Sequence, residues 1–275
     1  MSTQTTTSTT PRAPIRPRRL EFAIDERVPR HFTGDAVDTH FWNALSVLFP
    51  EGETFFVDSV RHFREQITDD ALRRDVVGFA GQEATHSREH EAYNAWLSGH
   101  GYSAEAMDRT VGRLLAEVRK LPPEFPLAAT CSLEHMTALL AELVLTDEDL
   151  RARMDPAMFK LWAWHATEEI EHKNVAFDVY QQVSGSYAIR VLAHLVATIL
   201  LGAFHSANLY SMLRTDGLHR KPSTWMNAAR TLYAKKGYVT RLAPAWAEFL
   251  RRDFHPSQHD DRALLEAWTT RLAAM

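Results

Sequence analysis

The sequence predicts an all-α protein, built as a helical bundle with further helices after it. Apolar residues recur at intervals of three and four along most of the chain, the spacing of one helix face. Helix-breaking residues are sparse, with 11 Gly and 12 Pro in 275 residues, and several prolines precede residue 20. No segment shows the sustained alternation of apolar and polar residues that is typical of strands. Long helices are therefore expected.

The first two long helices are predicted to form an antiparallel pair. Helix 51–66 follows Pro50, which suits the start of a helix, and carries phenylalanines at helical spacing. Helix 68–98 opens with two aspartates, where negative charge is favourable, and stops before Gly99.

A second pair follows after a break. A short helix is expected at 104–119, and the sequence LPPEFP then forces a turn or an extended connection. Helix 127–145 comes next, followed by helix 156–183. Pro156 stands near the first turn of the latter, where its missing N–H is harmless.

The region after the second pair is predicted to cover the bundle. Segment 187–213 contains the apolar run VLAHLVATILLGAF, which falls short of the roughly 20 residues that a spanning helix needs. A helix packed in the core is expected here, with a membrane surface or a dimer interface as the alternatives. Shorter amphipathic helices are expected at 225–235, 239–252 and 261–274.

The domain prediction is a disordered tail followed by one helical domain. Residues 1–19 are rich in Thr, Ser, Pro and Arg and lack the apolar centre of a signal peptide, so they are interpreted as disordered. Residues 20–275 form the domain, with the bundle at 50–183 and covering helices at 187–275. The expected location is cytoplasmic.

Composition excludes several classes of function. With 31 basic and 35 acidic residues the net charge is −4, and no basic excess indicates a nucleic-acid partner. Cys131 is the one cysteine, so neither an intramolecular disulfide framework nor a thiolate-rich metal site is available. Any metal must be bound by His and carboxylate side chains.

Two Glu-x-x-His motifs provide candidate metal ligands. Glu83 and His86 stand at i and i+3 on the second long helix, and Glu169 and His172 repeat the spacing on the fourth. This spacing places a carboxylate and an imidazole on one helix face. His165 precedes Glu169 by one turn, so three potential ligands project from one stripe of that helix.

A lone glutamate on each partner helix completes the pattern. Glu53 precedes Glu83 by 30 residues and Glu134 precedes Glu169 by 35, distances that suit a helix, a turn and an antiparallel return. Glu134 interrupts an apolar helix, where an ionised carboxylate is costly unless it is paired or coordinated. Glu51 is an alternative to Glu53, and Glu142 is an alternative to Glu134.

The order Glu, Glu-x-x-His, Glu, Glu-x-x-His resembles the ferritin-like di-iron carboxylate superfamily and implies a ferritin-like four-helix bundle. The sequences FPEGETFF, GQEATHSREHEAYN and DFHP are similar to the bacterial family of predicted metal-dependent hydrolases. The added imidazole of His165 is similar to the ligand set of di-iron N-oxygenases that oxidise arylamines. These resemblances imply metal binding by seven residues: Glu53, Glu83, His86, Glu134, His165, Glu169 and His172.

The expected activity follows from this donor set. Four carboxylates with two or three imidazoles suit iron or manganese and can stabilise their higher oxidation states. Two iron ions are the first choice, with Mn/Fe, two Mn or two Zn as alternatives. The predicted reaction is oxidation of a small organic molecule by O₂, by N-oxygenation of an amine or by hydroxylation, with an electron donor.

Other functions remain as alternatives. The second enzymatic hypothesis is a metal-dependent hydrolase that uses a metal-bridging hydroxide. The non-enzymatic alternative is iron binding or storage. A homodimer is an additional expectation, while membrane contact is not expected.

Nearby polar residues are given less specific interpretations. His90 is left outside the ligand set as a partly exposed helix histidine, with a role as ligand or ligand support as the alternative. Glu168 and Glu171 are interpreted as a solvated helix face, with a hydrogen bond to one of the metal ligands as the alternative.

Overall fold

The computed structural model describes residues 15–275, and within them every regular element is a helix. The predicted all-α class is confirmed. The α-helices are α1 (Ala36–Ser46), α2 (Phe49–Arg61), α3 (Asp70–Gly99), α4 (Ala104–Val118), α5 (Glu124–Thr146), α6 (Glu148–Arg153), α7 (Pro156–His172), α8 (Val175–Val183), α9 (Tyr187–Thr215), α10 (Pro222–Tyr233), α11 (Tyr238–Glu248) and α12 (Arg262–Leu272).

Helices α2, α3, α5 and α7 form the bundle that carries the predicted ligands. Side-chain contacts between α3 and α7 run in opposite numerical order, so these helices are antiparallel. The contacts are Gln82–Glu171 at 2.7 Å, His86–Glu168 at 3.1 Å and His90–His165 at 2.7 Å. Contacts from Glu134 to His172 and from Thr137 to Glu169 show the same reversal between α5 and α7. The antiparallel return expected within the second pair is present.

Helix α1 is absent from the sequence prediction. Asp35 caps it by accepting a hydrogen bond from the backbone N–H of Asp38 at 2.9 Å. Ten of its eleven residues are buried, and several of them are polar, including His40 and Asn43. Because the helix is enclosed on all sides, it lacks the apolar stripe by which a surface helix is recognised.

The segment predicted as one helix at 156–183 is divided in two. Helix α7 ends at His172, and α8 begins at Val175. No Gly or Pro marks the break. The Lys173 ammonium donates to the backbone carbonyl of His259 at 2.9 Å and also contacts Asp261. The break therefore coincides with a contact to a distant segment, which local sequence does not reveal.

The predicted disordered tail ends too late. Residues 1–14 lie outside the described residues, but Ile15 is buried against α3 close to Gly78. The Arg18 guanidinium pairs with Glu171 at 2.5 Å and contacts Glu168 at 3.5 Å. Residues 15–19 are thus irregular in conformation but packed on the bundle.

Helix α9 is less buried than the core helix that the sequence predicts. Leu192, Leu195 and Ile199 are exposed, while Ala193 and Ala197 on the opposite side are buried. Both α5 and α9 are long and apolar enough to cross a membrane, with 78% and 22%, respectively, of the most apolar window buried. The apolar residues of α5 are explained by its burial as a core helix of the protein. The most apolar window of α9, by contrast, is mostly exposed.

Candidate metal centre

The seven side chains predicted to bind metal lie together inside the bundle. Each is at most 3% exposed. Six of them, together with His90, form two groups, in each of which one potential ligand atom per residue lies within 4.8 Å of the others. We call the seven residues the metal cluster. The first group is Glu83, His86, Glu169 and His172; the second is Glu53, His90 and His165; and Glu134 contacts His172 at 3.1 Å.

The carboxylate of Glu169 occupies the centre of the metal cluster. Its Oε1 lies 3.0 Å from His165 Nε2, 3.5 Å from His86 Nδ1 and 3.6 Å from His172 Nε2. Its Oε2 accepts a hydrogen bond from the Thr137 hydroxyl, which orients the carboxylate. Three imidazoles, one from α3 and two from α7, therefore converge on one oxygen atom.

Most of the metal cluster carries buried polar atoms that lack a hydrogen-bond partner. Such atoms are uncommon in folded proteins, because burying an unpaired polar group costs free energy. Each of these oxygen and nitrogen atoms can donate a lone pair to a cation when it carries no proton, so bound cations would give each a partner. The atoms are Glu53 Oε1, both carboxylate oxygens of Glu83, His86 Nδ1, Glu134 Oε1, His165 Nε2 and His172 Nε2.

A chain of hydrogen bonds determines which nitrogen of His165 is available. Asn94 donates from its amide to the Ser46 backbone carbonyl at 3.2 Å and accepts from the Ser46 hydroxyl at 2.9 Å. Because the Ser46 hydroxyl donates its hydrogen to Asn94, its oxygen must accept the hydrogen bond from His90 Nδ1, at 2.9 Å. Burial lowers the pKa of His90 well below its usual range, so the ring is neutral and its Nε2 accepts from His165 Nδ1 at 2.7 Å. This tautomer leaves the Nε2 lone pair of His165 free for a metal ion.

The other two imidazoles are held through the nitrogen that lies away from Glu169. His86 Nε2 is 3.1 Å from Glu168 Oε2, and His172 Nδ1 is 3.1 Å from Glu134 Oε2. A carboxylate that accepts from one ring nitrogen leaves the lone pair of the other nitrogen for a metal ion. Glu134 therefore holds His172 with one oxygen and has its Oε1 unpaired.

Three neighbouring residues differ from their sequence interpretation. His90 is completely buried rather than partly exposed, and it supports His165. Glu168 is completely buried as well, and Glu171 accepts from Arg18 at 2.5 Å and from Gln82 at 2.7 Å. The sequence shows that these residues share the ligand-bearing helices. It does not show that α3 and α7 stay in contact beyond the motifs or that the N-terminal segment covers them.

The structure also distinguishes the alternative glutamates. Glu53 and Glu134 are buried in the metal cluster, whereas Glu142 is exposed. The Glu51 carboxylate lies against α4, where a Cβ added at Gly112 would come within 2.9 Å of its Oε1. Neither alternative is part of the metal cluster.

The metal cluster holds closely spaced acidic groups that are buried in the protein interior. Burial raises the pKa of Glu53 to about 8 and, with the neighbouring carboxylates, raises that of Glu83 well above its usual range. Burial opposes protonation of His86, but the neighbouring carboxylates of Glu168 and Glu169 outweigh this and raise its pKa to about 10. Two divalent cations would balance the four carboxylates of the cluster. The residues present therefore fit a pair of metal ions.

A second His and carboxylate cluster lies where α1 and the end of α9 meet the N-terminal segment. Asp216 Oδ2 accepts from His31 and His40 at 2.7 and 2.8 Å. Asp216 Oδ1 accepts from Arg30 at 2.5 Å and from Tyr102 at 2.9 Å. We call these five residues the Asp216 cluster. One atom from each of His31, His40 and Asp216 also lies within 4.8 Å of the others, but both oxygens of the Asp216 carboxylate already accept hydrogen bonds from the protein. The spacing of these residues along the chain does not predict that they meet.

Comparison with known proteins identifies the family. A family model described as predicted metal-dependent hydrolase matches residues 16–260. The chain belongs to this family. No curated protein and no solved structure matches it. The family description and the buried His and Glu groups agree on metal dependence, and the resemblance stated from the sequence is confirmed for this family. The ferritin-like and N-oxygenase resemblances stay predictions.

Proposed function

We propose that this protein is a dinuclear metal enzyme that hydrolyses a small-molecule substrate. The observation that carries the proposal is the set of unpaired, buried donor atoms on six of the seven residues of the metal cluster. Leaving so many polar atoms unsatisfied in one place costs free energy, and bound cations would remove that cost. Seven residues would hold the ions: Glu53, Glu83, His86, Glu134, His165, Glu169 and His172.

The surrounding residues keep this donor set in position. Thr137 orients Glu169, Glu168 holds the ring of His86, and His90 fixes the tautomer of His165. When bound, a pair of divalent ions supplies a Lewis acid and activates water for attack on an ester, amide or phosphoester. Aromatic side chains around the cluster limit the access of bulk water. Among them, the ring of Trp164 lies 4.9 Å from that of His86.

Family membership favours hydrolysis over the oxidation predicted from the ligand pattern. The matched family is described as hydrolytic, and the match extends over the motifs and most of the chain around them. A carboxylate-rich dinuclear site is compatible with such a reaction.

Oxidation by O₂ is the second candidate, favoured by the composition of the donor set. Four carboxylates and three imidazoles suit iron and manganese, which change oxidation state. This reaction would need O₂, an electron donor and a small organic substrate. Iron storage has no further observation in its favour.

Anaerobic turnover separates the two enzymatic proposals. Protein loaded with Zn²⁺, Mn²⁺ or Fe²⁺ is assayed in the absence of O₂ with 4-nitrophenyl esters whose acyl group carries no charge. We expect ester cleavage that falls to background in Glu169→Gln and persists in Asp216→Asn, which removes a carboxylate from the Asp216 cluster. O₂ consumption by the iron form, with no ester cleavage by any form, would contradict hydrolysis and support oxidation.

A further inference from the structure

An apolar cavity lies between helices α2, α4, α5 and α9. Its volume is about 110 Å³, and Thr137 contributes the one polar side chain among its lining residues. Aromatic and aliphatic side chains form the remaining wall, with Ala193, Ala197 and Phe204 on the α9 side. A charged group placed here would lose its hydration without gaining a partner. The cavity therefore suits an uncharged, apolar group.

A smaller cavity lies between this space and the metal cluster and shares part of its wall with each. It measures about 20 Å³ and is lined by His165 and Glu169. The two cavities share four wall residues: Leu45, Phe49, Thr137 and Leu140. The ring centroid of Phe49 lies 4.7 Å from that of His165, so this phenylalanine separates the apolar space from the cluster.

Gly52 leaves additional room in the wall of the large cavity. It lies within α2, where a glycine is less favourable than alanine by about 0.5–1 kcal/mol. A Cβ added at this position would meet nothing within 4 Å, and Gly52 lines the large cavity. The wall of the large cavity is therefore open at Gly52.

We propose that the large cavity is the substrate-binding site and that it selects a neutral molecule with an aliphatic or aromatic group. The apolar group occupies the large cavity, and the polar reacting end extends past Phe49 to the small cavity beside His165 and Glu169. The assignment rests on the proposed function for the reaction. The binding preference is a property of the cavity itself and is tested without turnover.

A chain-length series on the metal-loaded protein measures this preference. Primary alcohols from ethanol to decanol compete with the neutral probe toluene, whose binding is measured by titration calorimetry. We expect one probe site per chain and an affinity for the alcohols that rises about fourfold per added CH₂ until the cavity is full. An affinity that does not depend on chain length, or the absence of a probe site, would overturn the proposal.

Two matched substitutions on α9 locate the site. Ala197 lines the cavity, whereas Ala203 on the same helix is exposed. Ala197→Phe should weaken probe binding by about tenfold, because it fills the cavity, and Ala203→Phe should leave binding unchanged. Equal binding by both variants, with wild-type helix content by circular dichroism, would refute the location. If Ala197→Phe does not fold, the alcohol series still decides the proposal. Probe binding without ester cleavage would support the cavity and contradict the hydrolytic reaction.

Discussion

The metal cluster and the Asp216 cluster contain the same kinds of side chain but differ in how their atoms are paired. In the Asp216 cluster both carboxylate oxygens accept hydrogen bonds, and the Nδ1 of His40 is 3.0 Å from the amide nitrogen of Asn43. In the metal cluster, Glu83 has two unpaired oxygens and His86 has an unpaired nitrogen. The difference indicates that a metal site is recognised by its unsatisfied donors as well as by its residue types.

Charge balance separates the two clusters as well. Partial burial raises the pKa of Asp216, but the hydrogen bonds from His40, His31 and Tyr102 outweigh it and hold the pKa well below its usual range. The guanidinium of Arg30 contacts the same carboxylate at 2.5 Å. The carboxylates of Glu53 and Glu134 are buried, and this burial raises the pKa of each. The Asp216 carboxylate is thus balanced by a guanidinium of the protein, whereas bound divalent cations would balance the carboxylates of the metal cluster.

Removal of metal is expected to have the largest effect on the protein. An ion present at a thousand times its Kd contributes about 4 kcal/mol to the free energy of unfolding. Chelation should therefore lower the urea midpoint, and restoring Zn²⁺ or Mn²⁺ should reverse the change. Urea unfolding followed by circular dichroism measures it. An identical midpoint before and after chelation, in protein shown to be metal-free, would contradict the difference drawn between the clusters.

Removing one central carboxylate from each cluster is the next test. Glu169→Gln should lose at least one metal ion per chain, because three imidazoles converge on this carboxylate. Asp216→Asn should keep its full metal content but lose about 2 kcal/mol of stability, since hydrogen bonds to a charged group are weakened. Elemental analysis and urea unfolding of both variants test this. Metal loss in Asp216→Asn alone would reverse the assignment of the two clusters.

A pair of buried histidines provides a smaller and more specific test. His90→Ala should weaken metal binding by about 10- to 100-fold, because the tautomer of His165 is no longer fixed. It should also change the visible spectrum of the Co²⁺-substituted protein. His40→Ala removes a comparable side chain from the Asp216 cluster and should leave both metal affinity and spectrum unchanged. Equal behaviour of the two variants would mean that His90 has only a packing role.

The sequence predicts those features of the centre that depend on helix periodicity. Glu83 and His86 must share a face, and an antiparallel return brings Glu134 close to His172, so the convergence of the motifs follows from spacing. The burial of His90 depends on contacts with another helix, which spacing along its own helix does not reveal.

Features that depend on distant segments were missed in the same way. Arg18 covers Glu168 across 150 residues of sequence, and Lys173 contacts Asp261 where helices α7 and α8 separate. Local propensity contains no information about such partners, so the tail boundary and the helix break could not be placed from the sequence.

The most direct test of the metal-cluster assignment is the metal stoichiometry of the purified protein. After loading with excess Zn²⁺, Mn²⁺ or Fe²⁺ and removal of unbound ions, elemental analysis should find two ions per chain. Asp216→Asn should give the same value. A wild-type protein that retains no ion after loading with any of these metals would contradict the assignment of the metal cluster.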